Sequence, residues 1–280
     1  MNDLATYLLI DTALIDPAPR VLCWTNAKRR PAWLVTLYER EALRVSPLLI
    51  DFAQAHAAGA IAEVMALANG RRPQLHLSII HTALPLQALA EHLRRFIYFV
   101  NEQGEELTLR FADCLVLAAL ATVLTPEQWA VVIGPISAWQ VHQRNGVITQ
   151  LPASLAAPDA ALPLVLSEQQ VTALKDALAV EQLLANLRTM RPGQKFAATP
   201  LAEYEMARWS RDLFRSAGHT DNATLMLLAR GAFDTRGRIL QTPELRRVLA
   251  LEDIKAVQLG IARCVQSQLP GSVGPWAGDI

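Results

Sequence analysis

The sequence has no excess of charge of either sign. Lys plus Arg and Asp plus Glu both total 26, so the formal net charge of the 280 residues is zero. Binding a phosphate backbone requires a basic domain or stripe. The basic pairs of this sequence are instead scattered singly among acidic residues, at Arg29–Arg30, Arg71–Arg72, Arg94–Arg95 and Arg246–Arg247. The composition therefore argues against a nucleic-acid partner.

Long apolar runs are also missing, and the first residues do not predict a leader segment. The longest uncharged apolar run, Leu115 to Leu124, is far shorter than the roughly 20 residues of a membrane-spanning helix. The first residues contain no cationic stretch ahead of an apolar one, and the run Tyr7 to Ile10 stops at Asp11. That is not the pattern of a signal peptide. We therefore expect a soluble protein with no membrane partner.

Cysteine is scarce. Cys23, Cys114 and Cys264 are odd in number and widely spaced, which predicts neither a disulfide framework nor a zinc site. A reducing cytoplasm suits this usage best. Cys114 stands at a predicted helix start, where the helix N-terminus lowers the pKa of a thiol. No histidine is near it in the sequence, so the favoured interpretation is a packed thiol.

Motifs that assemble a catalytic or metal centre are lacking. His76 and His81 lie five residues apart in a strand-like run, on opposite faces. No glycine cluster follows a strand and opens a helix. The sequence thus predicts a non-catalytic protein with no catalytic residue, metal ligand or cofactor. Two alternatives stay open: a small hydrolase or transferase whose groups meet only in space, and a scaffold that associates with itself through its second half.

The first half of the chain alternates strand-like and helix-like patterns. Runs rich in β-branched and aromatic residues predict strands at Tyr7–Ile10, Trp33–Tyr38, Leu75–Ile80, Phe96–Val100 and Leu107–Phe111. Helix-like stretches lie at 52–68 and 86–95. The polar, Gly-containing turn Asn101–Glu106 predicts a β-hairpin, and a last hairpin is expected over Arg144–Gly146.

Helix-start signals follow the first hairpin, and from Ser167 onward every periodic signal is helical. Asp113 is placed to cap the run after it, and Thr125-Pro126-Glu127-Gln128 and Ser167 with Gln170 have the spacing of capping boxes. A helix from Thr199-Pro200 is expected to bury Met206, Trp209 and Leu213. Further helices are expected from Asp221, Thr242-Pro243 and Ile254.

These patterns predict the α+β class. A mixed α/β N-terminal lobe at 1–150 is followed by a Pro/Ala linker at 151–166, an all-α helical-bundle C-terminal lobe at 167–268 and a flexible tail at 269–280. Trp276 in this tail is either an anchor that docks on the body or a partner-binding tip.

The most pointed polar pattern is Arg110-Phe111-Ala112-Asp113. If Arg110 ends a strand and Asp113 caps the next helix, their side chains are close enough to pair and to tie the hairpin to the helix. That lock alone is one interpretation. The other adds a polar spot that the strand-to-helix junction presents to a partner.

Several stretches together are typical of one known family. They are Phe96-Ile97-Tyr98-Phe99-Val100, the Gly104 turn, Leu109-Arg110-Phe111 with Asp113, Thr125-Pro126-Glu127-Gln128, and Gly134-Pro135-Ile136 with Trp139. They resemble the core of the type VI secretion effector-chaperone family, also labelled domain of unknown function 4123. Leu89 to Arg95 and Tyr7 to Asp11 resemble its helix and its opening strand, so the resemblance spans about Tyr7 to Trp139.

The resemblance implies an adaptor, of the kind called Tap or Tec proteins, that binds one toxic effector and helps load it on the VgrG spike. It implies no cofactor. The partner-binding residues expected here are Arg110, Asp113, Phe111, Arg94 and Trp139. The usual stretch in the family is Arg-Phe-Tyr-Asp-Pro-Arg. In this sequence Ala112, Cys114 and Leu115 stand in place of its Tyr, its Pro and its second Arg. If the replaced groups contact effectors in relatives, this chain binds its effector differently or uses the junction only for folding.

Overall fold

The structure is a computed structural model, which describes residues 4–15, 24, 30–38, 40–154, 161–190 and 199–269. Six of its strands form an antiparallel sheet: β1 (Ala5–Ile10), β2 (Leu34–Thr36), β3 (Leu48–Asp51), β4 (Leu77–Thr82), β7 (Ala138–His142) and β8 (Ile148–Gln150). Their order across the sheet is β2-β3-β1-β4-β7-β8. Because β1 lies between β3 and β4, its residues from Tyr7 to Ile10 are buried.

A second sheet has the order β6-β5-β9. The predicted hairpin supplies β5 (Tyr98–Asn101) and β6 (Glu106–Thr108), and β9 (Leu164–Leu166) pairs with β5 in parallel. Residues 164–166 fall in the stretch expected to be a linker, yet Leu164 and Leu166 are each 1% exposed and Val165 is 52% exposed. The alternation of apolar side chains, inward and outward, explains why three residues suffice for a core strand. Of the same stretch, residues 155–160 lie outside the described residues.

Five short helices accompany these sheets: α1 (Phe52–Ala57), α2 (Ile61–Ala68), α3 (Leu86–Arg94), α4 (Cys114–Val123) and α5 (Pro126–Ile133). The single helix expected over 52–68 is two helices, because Gly59 takes a φ of +72° that a helix cannot contain. The predicted caps are present. Asp113 accepts from the Leu115 N–H at 2.9 Å, and Thr125 with Gln128 forms a complete capping box.

The remaining helices are α6 (Glu168–Met190), α7 (Pro200–Ser216), α8 (Asn222–Asp234), α9 (Pro243–Leu249) and α10 (Ile254–Gln268). The chain divides into two compact units, Met1–Leu178 and Ala179–Ile280, and the division falls within α6. The second unit has its own apolar core, in which Phe214, Leu228 and Ile261 are fully buried. The predicted fold class, a mixed α/β part followed by a helical part, is confirmed.

One packing expectation in the helical unit is wrong. Trp209 is 40% exposed and lines, with Met206 and Arg236, a cavity of about 440 Å³ on α7. Its neighbour Ser210 is fully buried instead and donates to the Met206 carbonyl. The buried face of α7 therefore contains Ser210 and not Trp209, although Trp209 is the largest side chain of the helix.

None of the helices in the described ranges is both long and apolar enough to cross a bilayer. Trp276 and almost all of the predicted tail lie outside the described residues, as does Cys23.

The two neighbours Leu164 and Val165 give a matched test of β9. Leu164→Ala should lower the free energy of unfolding by about 2–4 kcal/mol, because it removes a fully buried side chain. Val165→Ala should change it by no more than about 0.5 kcal/mol, because that side chain is on the surface. Urea unfolding followed by circular dichroism measures both. Equal, small effects would mean that residues 164–166 are linker and not core.

Candidate functional site

The junction between β6 and α4 holds the polar residues expected to bind a partner. Arg110 follows β6 by two residues, and its carbonyl accepts from the Asp113 N–H at 3.0 Å, which closes a turn into α4. The guanidinium leaves this turn toward the first strand. Arg110 Nη2 donates to Asp11 Oδ2 at 2.8 Å, and the two side chains are 46% and 3% exposed. This ion pair joins residues 99 positions apart.

Asp11 is fixed from several sides at the end of β1. Its N–H donates to the His76 carbonyl at 2.8 Å, and its Oδ1 accepts from the Ala13 N–H at 3.0 Å. The second carboxylate oxygen is the one that faces Arg110. Because the carboxylate is almost entirely buried, the cation of Arg110 and these hydrogen bonds replace the contacts with water that it has lost. Arg110 therefore has a structural partner that the sequence pattern did not indicate.

Asp113, the partner expected from the sequence, acts on Arg110 in another way. It caps α4 through the Leu115 N–H, and its charge contributes to the environment of the guanidinium. Burial acts to lower the pKa of Arg110, but the charge and hydrogen bond of Asp11, with the charges of Asp113 and Tyr38, outweigh it and raise the pKa. Arg110 is accordingly a permanent cation with one close carboxylate and a second one nearby.

Two tyrosines extend this polar cluster to the surface. Burial raises the pKa of Tyr38, and the charges of Asp11, Arg110 and Tyr98 act on it further, so the four side chains lie near one another. Tyr98, on β5, is 47% exposed. Arg110 has five N–H donors, and among the described residues only its Nη2 makes a hydrogen bond. The cluster thus has spare N–H donors beside an aromatic ring, and an acceptor on another molecule can bind to them.

The other three expected site residues lie inside the first unit or support it. Phe111 is 3% exposed and packs edge-to-face on Trp139, which is fully buried and donates from Nε1 to Ser78 Oγ at 3.0 Å. Arg94, which is half-buried, donates from Nη2 to the Thr36 carbonyl at 2.9 Å and so ties α3 to the end of β2. Their partner-binding role stays a prediction. In this conformation a partner reaches Arg110 but not Phe111 or Trp139.

Two of the three positions that depart from the family pattern are also inside. Ala112 and Cys114 are each 1% exposed, whereas Leu115 is partly exposed. Replacement of the usual side chains at 112 and 114 therefore changes the packing under the junction. The exposed polar surface that Arg110 and Tyr98 provide does not include either position.

A buried polar layer lies beneath Arg110. The Leu77 carbonyl accepts from the Cys114 thiol at 3.0 Å and is bound by His142 Nδ1 at 2.8 Å. Burial raises the pKa of Cys114 to about 12, although hydrogen bonds with the main chain of His142 and Leu77 act in the opposite direction. Burial likewise lowers the pKa of His76. With so high a pKa, the Cys114 thiol stays protonated, so it packs, donates a hydrogen bond and is a poor nucleophile.

No group of three or more His, Cys, Asp or Glu side chains is placed to hold a metal ion in the ranges that the structure describes. The exposed groups of the cluster are the guanidinium of Arg110 and the ring of Tyr98, which can take part in hydrogen bonds, charge interactions and aromatic contacts.

The comparison with protein families covers this junction. Residues 6–131 match the family model described as Domain of unknown function (DUF4123). The matched segment contains Asp11, Tyr38, Tyr98, Arg110 and Asp113, whereas Trp139 lies beyond it. The resemblance expected from the sequence is thus confirmed at the level of this domain. No curated protein and no solved structure matches the chain.

Sequence patterns did not indicate Asp11, Tyr38 and Tyr98 as site residues. Asp11 directly follows a buried strand, and an acidic residue at the end of an apolar run is a common start of a turn. Tyr98 alternates with the buried Phe99 on β5, which is the pattern of a strand with one exposed face. Either signal is local and neither identifies the partner across the fold.

The accessibility of Cys114 provides a test of its chemistry. In a Cys23→Ser, Cys264→Ser background at pH 8, iodoacetamide should alkylate Cys114 about a thousandfold more slowly than an exposed thiol, because a pKa near 12 leaves very little thiolate. Mass spectrometry over time measures the rate, and urea should restore rapid labelling. Fast labelling of the folded chain would instead favour the hydrolase or transferase alternative.

Proposed function

We propose that this protein is a non-catalytic adaptor of type VI secretion that binds a toxic effector and helps to load it on the VgrG spike. The observation that carries the proposal is the half-exposed Arg110, which Asp11 holds in place at the surface of the matched domain. The resemblance to effector chaperones supplies the class of partner. In this proposal the protein acts in the bacterial cytoplasm, before secretion, and uses no cofactor.

The composition of the exposed cluster supports a protein-binding role. Arginine and tyrosine are enriched among the residues that dominate binding energy in protein interfaces. Arg110 is pre-positioned by its ion pair, so less conformational entropy is lost when a partner binds it. Tyr98 stands on a strand and has few rotatable bonds, which has the same effect.

The surroundings of Arg110 also indicate how a partner engages it. Removing Arg110 from Asp11 would leave a buried carboxylate without its cation, which costs several kcal/mol in buried pairs. A partner therefore binds the spare guanidinium donors while the ion pair remains. Backbone carbonyls or a carboxylate of the effector are suitable acceptors.

Substitution of Arg110 tests the proposal. Arg110→Ala should abolish co-purification of an effector that co-purifies with the unchanged protein on co-expression, because the exposed donors are lost. The free energy of unfolding should fall by about 1–2 kcal/mol, between the values for exposed and buried ion pairs, because Asp11 loses its cation. Affinity purification and urea unfolding measure the two effects separately.

Two further variants serve as controls. Arg95→Ala removes the exposed cation that directly follows α3 and should leave effector binding unchanged. Asp113→Ser keeps a side chain that can cap α4 but removes the charge, so it separates a contact of Asp113 with the partner from its capping role. Full effector binding by a folded Arg110→Ala variant would contradict the proposal for this site.

A further inference from the structure

The hairpin strand β6 is an open edge of the second sheet. Within the described part of the chain, β6 pairs with β5 alone. The Leu109 N–H donates to the Ile97 carbonyl at 2.7 Å, and the Asn101 N–H donates to the Glu105 carbonyl at 3.0 Å. These two bonds lie at either end of the ladder and fix which residues of β6 bond inward.

Bonded and non-bonded pairs alternate along an antiparallel ladder. With Ile97 opposite Leu109 as a bonded pair, the next one is Phe99 opposite Leu107. The N–H and C=O groups of Glu106 and Thr108 therefore point away from β5, toward solvent. Such an edge is the template to which an extended segment of another chain can add as a strand.

One face of the β5–β6 pair is continuous with the candidate site. Directly opposite residues of paired strands share a face, which places Thr108 beside Tyr98 and Glu106 beside Val100. Arg110 follows Thr108 by two residues. A strand added to β6 would accordingly run next to the cluster of Arg110 and Tyr98.

The charge of the hairpin indicates which segment fits the edge. Glu102, Glu105 and Glu106 are all exposed, and no Lys or Arg occurs between Phe96 and Leu109. The cation of Arg110 does not offset them, because Asp11 already neutralises it at 2.8 Å. The edge therefore presents main-chain hydrogen-bonding groups in a negative field, which favours a positively charged strand.

We infer that an extended segment of the effector with Lys or Arg at alternate positions adds to β6 as a fourth strand of this sheet. Its main chain bonds to Glu106 and Thr108, and its basic side chains lie on the Glu106 face of the sheet, in the negative field of the hairpin glutamates. The inference rests on the proposed adaptor function, since it names how the partner lies beside Arg110.

The first sheet supplies an internal control. β8 is also an edge strand. Its bonded pairs include the Leu151 N–H with the Trp139 carbonyl and the Gln143 N–H with the Val147 carbonyl. The N–H and C=O groups of Ile148 and Gln150 therefore point away from β7, toward solvent. The stretch His142–Leu151 contains no carboxylate. The two edges thus share their main-chain geometry and differ in charge.

The experiment uses the full chain and two synthetic decapeptides, one of alternating Lys and Val and one of alternating Glu and Val. Backbone amide resonances are followed by NMR during titration. The Lys-containing peptide should shift the amides of Glu106 and Thr108 in a saturable manner and leave those of Ile148 and Gln150 unchanged. The Glu-containing peptide should shift none of them.

Variants test the two parts of the recognition. Thr108→Pro removes the outward N–H without removing a bond to β5, and proline is tolerated at such edge positions. Glu102→Lys with Glu106→Lys reverses the charge. Each should raise the dissociation constant of the Lys-containing peptide at least about fivefold. The proline variant loses a ladder hydrogen bond, and the double lysine variant loses several exposed charge pairs. Gln150→Pro, the matched change on β8, should have no effect.

The inference is overturned if the Lys-containing peptide shifts no β6 amide, if both peptides bind alike, or if both edges respond. Its failure is distinct from failure of the adaptor function. If Arg110→Ala loses the effector while Thr108→Pro binds it normally, the added strand is contradicted and the adaptor function is supported. Normal effector binding by Arg110→Ala would count against the adaptor site, whatever the peptides show at β6.

Discussion

The ion pair between Arg110 and Asp11 is the interaction on which the candidate site depends. It joins the end of β1 to the junction that follows β6, 99 positions later. The carboxylate is 3% exposed and the guanidinium side chain 46%, so one end of the pair belongs to the interior and the other to the surface. A buried carboxylate is stable only with its counter-charge in place. The position of an exposed arginine is thereby fixed by the folding requirement of a buried aspartate.

The same junction separates residues that build the site from residues that a partner can reach. Phe111, Ala112 and Cys114 point inward, where Phe111 packs on Trp139 and the Cys114 thiol shares the Leu77 carbonyl with His142. Arg110 faces outward. Inward groups of this kind contribute rigidity, because each is held by close packing or a hydrogen bond. Such a support holds the few exposed polar groups in one position, and its buried thiol carries little thiolate.

Edge strands explain how a small sheet can contribute to recognition. A free edge is a hazard, since it pairs with any extended chain, and charged side chains are one way in which proteins limit that pairing. The glutamates of the β5–β6 hairpin reduce unwanted pairing, because they repel acidic segments and would lose hydration against apolar ones. The same charges select a basic segment, so protection of the edge and specificity for a partner come from one set of side chains.

The sequence by itself determined the elements whose signals are local. Helix caps at Asp113, Thr125 and Ser167, the β5–β6 hairpin and the order of an α/β part before a helical part depend on residues a few positions apart, and all of them are present. Only the tertiary structure decided that Arg110 pairs with Asp11, that β9 completes the second sheet, and that Trp209 is exposed. Each of these depends on which distant segments meet, and side-chain periodicity specifies that a face is apolar without specifying what covers it.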